Sequence, residues 1–305
     1  MAISAQEVKQ LKEMTNCGMM DCKRALEEVG GDMEAAVKYL REKGLAKATK
    51  KAGRIAAEGL VFTKIDKDKK LGVVVEVNSE TDFAAKSERF VQFVEQVADT
   101  IMNNDVNDVE ALKELTAFGS DEKLADVLVD RIATIGENIQ IRRFTKLEGD
   151  IFSYVHDGGG SLIGTIIKVE ADDASDPAVA ECAKNLLLQI TASTPQFVSK
   201  DDVPPQVIED EKDTQMGIIK TENEAKPKPQ NVMEKIVEGR LRKFLEEICL
   251  LDQPYVKDPD MTVAKYVESV GKGIKVVQFI RYEKGEGIEK KADNFADEVA
   301  SMINN

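Results

Sequence analysis

Apolar residues within positions 1–53 recur at helical spacing, which predicts three short amphipathic helices. Asp32 is a suitable N-cap for the third helix, and Gly44 is expected to end it. The basic segment 47–54 has few bulky apolar side chains, so it predicts either a linker or an extension of that helix. Residues 1–54 are therefore expected to form a small three-helix domain.

The pattern then changes to strand-like segments, and it occurs twice. Residues 58–66 match residues 148–156, and each segment is followed by a polar turn and an apolar, largely β-branched run, at 71–77 or 163–169. Each copy continues into an amphipathic helix. Because a period of about 90 residues is too long for a solenoid repeat, the pattern predicts two related α+β subdomains packed side by side, each with an antiparallel sheet.

After the second copy the chain becomes mainly polar and helical. The segment Lys226-Pro227-Lys228-Pro229 cannot lie inside a helix. The helical segments on either side of it therefore predict an antiparallel hairpin that projects from the body. The strand-like run 276–282 returns the chain to the second subdomain. A C-terminal helix is predicted over 294–303, with one face formed by Phe295, Val299 and Met302.

These elements define an α+β fold class in which the hairpin interrupts the second copy. The expected units are the three-helix domain at 1–54, a first core subdomain at 55–144, a second core subdomain at 145–200 and 236–282, the hairpin at 201–235 and a C-terminal helical module at 283–305.

Composition and charge exclude several classes of function. The 305 residues are 42% hydrophobic and 32% charged, with a formal net charge of −14. Since affinity for nucleic acid depends on neutralising phosphates, an acidic chain favours a protein or cationic partner. The four cysteines form no CxxC pair and there is a single histidine, so no zinc site can be assembled. With no apolar signal segment and no run of about 18 apolar residues, we expect a reducing, cytoplasmic setting without membrane attachment.

His156 is the single histidine, so any histidine-based acid–base chemistry would have to use it. It follows a strand and no motif supplies a nucleophile, which favours a polar residue near the tip of a hairpin. Gly158-Gly159-Gly160 precedes a strand rather than a helix, so it predicts a hairpin turn and not a phosphate-binding loop. An enzyme that uses His156 with Asp157 or Asp82 is the competing hypothesis.

The segment 71–86 joins a buried strand, a polar turn and one large apolar side chain, Phe83. Thr81-Asp82 predicts a helix cap, but a cap does not explain the aromatic residue beside it. On pattern alone Phe83 packs inward, and the alternative is that it is held out for a partner. The second copy has Asp172-Asp173-Ala174-Ser175 at this place, so the connection itself does not need the aromatic ring. Met19-Met20 leaves a similar choice between core and an adaptable contact surface.

Several motifs occur in order from one end of the chain to the other. They are Thr15-x-x-Gly18-Met19-Met20-Asp21-Cys22-Lys23-x-Ala25-Leu26, Lys50-Lys51-Ala52-Gly53, Glu76-Val77-Asn78-x-x-Thr81-Asp82-Phe83, Gly136-Glu137-Asn138-Ile139-x-Ile141-Arg142-Arg143, Val237-Glu238-Gly239-Arg240, Gln253-Pro254-Tyr255-Val256 and Gly285-Glu286-Gly287-Ile288-Glu289-Lys290. On these motifs the chain resembles the elongation factor Ts family of bacteria, over essentially its whole length.

The resemblance implies a ubiquitin-associated-like N-terminal domain, a duplicated core, an inserted antiparallel coiled-coil hairpin and a C-terminal helical module. It also implies a guanine-nucleotide exchange factor, not an enzyme, that binds elongation factor Tu carrying GDP. No cofactor and no metal are implied for this chain, because the nucleotide and the magnesium ion belong to the partner. A non-catalytic adaptor that binds without releasing the nucleotide is the alternative.

The resemblance also implies which residues meet the partner. The loop whose phenylalanine enters the GTPase domain near its magnesium and phosphate site is formed by Thr81, Asp82, Phe83 and Ala84. A second contact to the same GTPase domain is formed by Gly18, Met19, Met20 and Asp21. The second core subdomain is implied to hold the partner's distal β-domain. This sequence departs from the family at Ala84, where valine is usual, and at Ser79-Glu80, where a cysteine-containing pair is usual.

Overall fold

The structure, a computed structural model, describes residues 3–15, 17–225 and 229–289. Its helices are α1 (Ala5–Thr15), α2 (Met19–Glu28), α3 (Met33–Lys51), α4 (Asp82–Ala85), α5 (Glu88–Met102), α6 (Val109–Glu114), α7 (Leu124–Ile135), α8 (Pro177–Ser193), α9 (Pro205–Ala225), α10 (Gln230–Ile248) and α11 (Val263–Val270). Its strands are β1 (Glu58–Asp66), β2 (Leu71–Ser79), β3 (Gln140–Glu148), β4 (Asp150–Gly158), β5 (Ser161–Glu170), β6 (Pro254–Tyr255), β7 (Asp258–Thr262) and β8 (Lys275–Glu283). The helix predicted over 294–303 lies outside the described residues.

The first three helices form a small domain with its own apolar core. Asp32 caps α3 as predicted, accepting a hydrogen bond from the Ala35 backbone N–H at 2.9 Å. The expectation that Gly44 ends α3 is wrong, because the helix continues to Lys51 and takes in most of the segment 47–54. A Cβ at Gly44 would lie 3.5 Å from a methyl group of Val129 on α7. This glycine therefore marks a close contact between α3 and α7.

Two three-stranded antiparallel sheets form the core. The first has the strand order β1-β2-β3 and the second has the order β4-β5-β8. In both sheets the middle strand has a register shift near its end, at Glu76/Val77 in β2 and at Lys168/Val169 in β5. A helix directly before the third strand, α7 or α11, completes each half. The two halves therefore share one plan, and the equivalence extends further along the chain than the repeat seen in the sequence.

The two sheets pack face to face, with helices on their outer faces. In β2, Val74 packs between the sheets, against residues that include Ile151 and Ile166. The alternate residues of the same strand pack against α5 and α7, and they are Val73, Val75 and Val77. Since both faces of β2 are buried, its apolar run is continuous rather than alternating. The arrangement has four layers, in the order helix, sheet, sheet, helix.

Glycine allows the sheets to approach closely at two equivalent positions. A Cβ at Gly72 in β2 would overlap the side chain of Ile151, and a Cβ at Gly164 in β5 would overlap that of Val61. Any larger residue at either position would push the sheets apart, because protein interiors have little free volume.

Three of the expected boundaries divide a strand or an α-helix, and the one at 282/283 separates only the last residue of β8. The first lies at 144/145, within β3, whose last residues Thr145 to Glu148 pair with β2 and so belong to the first half. The second lies at 235/236, within α10, which continues to Ile248. The first sheet thus runs to Glu148, and the second arm of the hairpin extends past the expected unit boundary to Ile248.

Helices α9 and α10 form the projecting hairpin. Arg240 on α10 donates to Glu222 at 3.0 Å and to Gln215 at 3.2 Å, both on α9. At the base of the hairpin a small apolar cluster around Val203, Ile248 and Cys249 joins it to the second half. Within the described ranges, no helix is both long enough and apolar enough to cross a membrane.

The substitution Gly72→Ala is expected to lower the free energy of unfolding by about 1–3 kcal/mol, because the added methyl group overpacks the contact between the sheets. Gly217→Ala is the control, since Gly217 lies within α9 with open space around it. That change is expected to raise helix stability by roughly 0.5–1 kcal/mol. Urea unfolding followed by circular dichroism measures both. Equal effects of the two substitutions would contradict the close contact.

Candidate functional site

Phe83 projects from a short helix between the first sheet and α5. Its side chain is 87% exposed, whereas Ala84 and Ala85 on the same helix turn are buried. Inward packing of Phe83, which the local pattern favoured, is therefore not what the structure has. Helix α4 rests on its alanines and presents the aromatic ring to solvent.

Both ends of α4 are held by side-chain hydrogen bonds. The hydroxyl of Thr81 accepts from the Ala84 backbone N–H at 3.2 Å, which confirms the predicted cap. The hydroxyl of Ser79 donates to the Thr81 carbonyl at 3.0 Å. At the other end, the Ser87 hydroxyl donates to the Ala84 carbonyl at 2.7 Å. Phe83 thus sits on a turn whose backbone is fixed on either side.

Asp82 carries a negative charge next to the exposed ring. Its carboxylate lies 2.8 Å from the Lys86 ammonium group, one helical turn further on. The hydrogen bond and charge of Lys86 lower the pKa of Asp82, and Asp82 in turn raises the pKa of Lys86. Because both groups are fully in solvent, the pair contributes little to stability. The lowered pKa extends the ionised state of Asp82 to a more acidic pH than that of an isolated aspartate.

The turn after α7 holds the base of this loop. Gly136 ends α7 in the left-handed region with φ of 89°, and the next two residues reach across to the loop. The Glu137 carboxylate accepts from the Thr81 hydroxyl at 2.6 Å and from the Thr81 backbone N–H at 3.0 Å. The Asn138 backbone N–H donates to Glu80 at 2.7 Å.

Sequence reasoning missed this contact, because 56 residues separate Thr81 from Glu137 and no local pattern joins them. The one available signal was the motif Gly136-Glu137-Asn138, whose role could not be read from the sequence.

The same turn also holds the end of the three-helix domain. The side chain of Asn138 donates to the Arg54 carbonyl at 2.7 Å. The Arg54 guanidinium in turn lies 3.3 Å from the Glu80 carboxylate. The chain leaving α3 and the chain leaving β2 are therefore fixed to one another through Asn138 and Glu80.

A buried charge network lies in β2, just before the loop. The side chain of Glu76 is fully buried. Its carboxylate accepts from Arg142 at 3.0 Å and from Arg143 at 2.6 Å, both on β3. It also accepts from the backbone N–H of Gly285, in the segment after β8, at 2.8 Å. A buried carboxylate is tolerated only when it is paired and hydrogen-bonded in this way.

The four N-terminal contact residues lie at the start of α2, on a different unit from Phe83. Gly18 is the N-cap residue of α2. Met19 and Met20 are 52% and 63% exposed, so they form surface and not core. Asp21 lies 3.0 Å from Arg24 and 3.4 Å from Lys47. The structure does not bring these residues into the Thr81 loop, but α7 joins the two regions, since it packs against α3 and leads into the turn that holds Thr81.

A cavity lies between the three-helix domain and the core, beside α7. Its lining includes Met14, Cys17, Arg41, Glu122, Asp130 and Arg131. Burial, helped by the nearby charge of Glu122, raises the pKa of Asp130 to about 6. Arg41 and Asp126 form an ion pair between α3 and α7 at this place. The docking of the three-helix domain therefore includes a carboxyl group that is hard to ionise.

His156 has a structural position. It lies in β4 opposite Ile163, with its Nδ1 atom 3.3 Å from the Tyr154 hydroxyl. Gly159 and Gly160 both have positive φ, at 62° and 85°, which confirms the predicted hairpin turn. Among the described residues, no group of three or more His, Cys, Asp and Glu side chains is placed to hold a metal ion.

Asp130→Asn is expected to stabilise the protein more at pH 7.5 than at pH 4.5. The folded state raises the pKa of Asp130 from 3.8 to about 6, so folding favours the protonated carboxyl group. Its contribution is fully present below the unfolded pKa and is lost as the pH rises through the folded one. Asparagine does not ionise, so the variant does not lose this stability as the pH rises. Denaturation midpoints at the two pH values measure the effect, with Asp121→Asn, at an exposed aspartate, as control. A gain independent of pH would contradict this origin.

Comparison with known proteins places this geometry in context. A family model described as elongation factor TS matches residues 80–286. A protein of Clostridium perfringens named elongation factor Ts is 47% identical over 307 residues, covering 98% of this chain and 99% of the relative. Relatives with the same name from Clostridium kluyveri and Alkalilimnicola ehrlichii are 47% and 46% identical, each covering 99% of both chains. The similarity therefore includes the Phe83 loop, the turn that holds it and the three-helix domain.

Proposed function

This chain belongs to the elongation factor Ts family of bacterial translation elongation proteins, and we propose that it promotes release of GDP from elongation factor Tu. In this proposal Phe83 enters the GTPase domain of the partner near the magnesium and phosphate site. The observation that carries the proposal is the exposure of Phe83, the most exposed of the described large apolar side chains, on a helix turn fixed at both ends.

An exchange factor must bind nucleotide-free partner more tightly than GDP-bound partner. By linkage, the factor by which it weakens GDP binding equals the factor by which GDP weakens its own binding. Burying one phenylalanine contributes roughly 1.5–3 kcal/mol, and such an anchor acts as a hot spot. Nanomolar nucleotide binding corresponds to about 12 kcal/mol. Phe83 alone is too small to offset this, so other contacts have to supply most of the binding energy.

We assign those contacts to two further regions. Met19 and Met20 are exposed at the start of α2, and a methionine surface adapts well to a partner. The second half of the core would hold the distal β-domain of elongation factor Tu. Asp82, an exposed carboxylate paired with Lys86, would place a negative charge near the magnesium site and disturb the coordination there.

We also infer that the core arose by duplication and that the three-helix domain is of the ubiquitin-associated-like kind. The shared strand order, the matching register shifts and the paired glycines Gly72 and Gly164 support the duplication. The second copy makes the corresponding connection between its middle strand and helix without a short helix and without an aromatic residue. This difference between otherwise similar halves supports a role for Phe83 outside the fold itself.

The proposed role involves no chemical reaction by this chain and no cofactor of its own, in a cytoplasmic setting. The enzyme hypothesis depended on His156, whose ring nitrogen contacts the Tyr154 hydroxyl in the strand β4. The exchange hypothesis requires only binding. The alternative adaptor would bind elongation factor Tu and leave the rate of GDP release unchanged.

Phe83→Ala is expected to reduce the acceleration of GDP release by about tenfold to a hundredfold, since the lost anchor is equivalent to one to two powers of ten in rate. The measurement is the dissociation of a fluorescent GDP analogue from elongation factor Tu. Phe118→Ala is the matched control, because Phe118 is also exposed, at 50%, and lies outside the loop.

Each outcome of this measurement has a distinct meaning. No acceleration by the intact protein would overturn the exchange function and leave the adaptor. Equal acceleration by the intact protein and by Phe83→Ala would retain the function but move the mechanism to Met19, Met20 and the second half.

A further inference from the structure

We propose that Glu137 is a positioning residue that fixes the orientation of Phe83, so that exchange depends on a side chain that itself need not touch the partner. This inference rests on the proposed exchange function. It starts from the two hydrogen bonds that Glu137 accepts from Thr81, two residues before the aromatic ring.

The hydroxyl oxygen of Thr81 is the central atom of this arrangement. It donates to Glu137 at 2.6 Å and accepts from the Ala84 backbone N–H at 3.2 Å. Since its one proton points to the carboxylate, its lone pairs are directed to the helix. The bond to Glu137 therefore sets the geometry of the cap, and chains of this kind strengthen each other.

The carboxylate suits this task better than an amide does. Both Thr81 groups that face Glu137 are donors, the hydroxyl and the backbone N–H. A carboxylate has two acceptor oxygens and forms strong charge-assisted bonds. Glutamine has one acceptor oxygen and one NH2 group, so it can keep the bond from the backbone N–H but can meet the hydroxyl only as a donor, which reverses that bond and removes its charge-assisted strength.

Helix α4 has only four residues, so a small change at its first turn moves Phe83 directly. Ala84 and Ala85, the buried residues behind the ring, are small, so they restrict tilting of α4 less than larger side chains would. Misplacement of a binding group by about 1 Å can reduce a rate by about a hundredfold. The orientation of α4 thus needs a fixed point outside the helix, and Glu137 lies at that point.

The second half of the core has an equivalent turn with opposite chemistry. Before β8 the turn Gly271-Lys272-Gly273 takes the place of Gly136-Glu137-Asn138 before β3. The Lys272 ammonium lies 2.9 Å from Asp176, which caps α8. Both turns therefore contact the connection after the middle strand. Only the first turn holds a connection that carries an exposed aromatic residue.

The test compares Glu137→Gln with Lys272→Gln as the matched control, using release of a fluorescent GDP analogue from elongation factor Tu. Glu137→Gln is expected to lower the maximal accelerated rate by about fivefold to fiftyfold. Lys272→Gln is expected to keep that rate within about twofold when the factor is saturating, because a contact of the second half would change affinity and not the maximal rate. Hydrogen exchange on the free protein is expected to show faster exchange at Thr81 and Ala84 in Glu137→Gln only.

A double-mutant cycle separates positioning from direct contact with the partner. If Glu137 acts through Phe83, then Glu137→Gln in the Phe83→Ala background is expected to have less than about a twofold effect. The same loss in both backgrounds would overturn the inference. Thr81→Ser, which keeps the hydroxyl, is expected to retain activity, while Thr81→Val is expected to lose it.

The outcomes also separate this inference from the proposed function. If the intact protein accelerates release, Phe83→Ala loses that effect and Glu137→Gln does not, the positioning role is overturned and the exchange function stands. If the intact protein has no effect on GDP release, the exchange function fails, and the positioning role fails with it.

Discussion

The buried carboxylate of Glu76 is the interaction on which the geometry of the site depends. It joins the middle strand of the first sheet to two arginines of β3 and to the backbone of Gly285. Removing one partner from a buried ion pair costs about 3–5 kcal/mol, because it leaves a charge without compensation. The end of β2, where the chain leaves the sheet for the Phe83 loop, is therefore one of the most constrained places in the first half. This rigid end of the strand allows the exposed ring of Phe83 to be held in a single orientation.

The two halves of the core show how one plan serves two purposes. Each has a middle strand buried on both faces, a glycine where the sheets meet and a turn that reaches back to the connection after that strand. In the second half this connection passes directly into a long helix capped by Asp176. In the first half a short additional helix precedes the long one and carries Phe83. The difference is small in chain length, yet it changes a connecting loop into a projecting contact.

Local signals in the sequence were sufficient for several elements and caps, because a cap or a hairpin turn depends on residues a few positions apart. Thr81, Asp32 and the glycines after β4 are of this kind. Gly44, Glu76 and Glu137 could not be interpreted locally, since their partners lie far away in the chain. Gly44 looked like a helix stop because the pattern does not show α7 beside it. The exposure of Phe83 was likewise undecided on pattern, as an aromatic residue beside a cap can be found inside or outside.

The contact between Glu76 and Gly285 has a consequence for the order in which the chain is made. Strand β2 leaves the ribosome early, but the last hydrogen bond to its buried carboxylate comes from a residue near the C-terminus. Strand β5, the middle strand of the second sheet, likewise gains its second neighbour only when β8 has been made, after the whole helical hairpin. A nascent chain that stops before these residues has the second sheet incomplete and the buried charge of Glu76 in the first half partly unsatisfied. Rigid support for the loop is therefore a property of the finished polypeptide, and unfinished chains released from the ribosome would lack it.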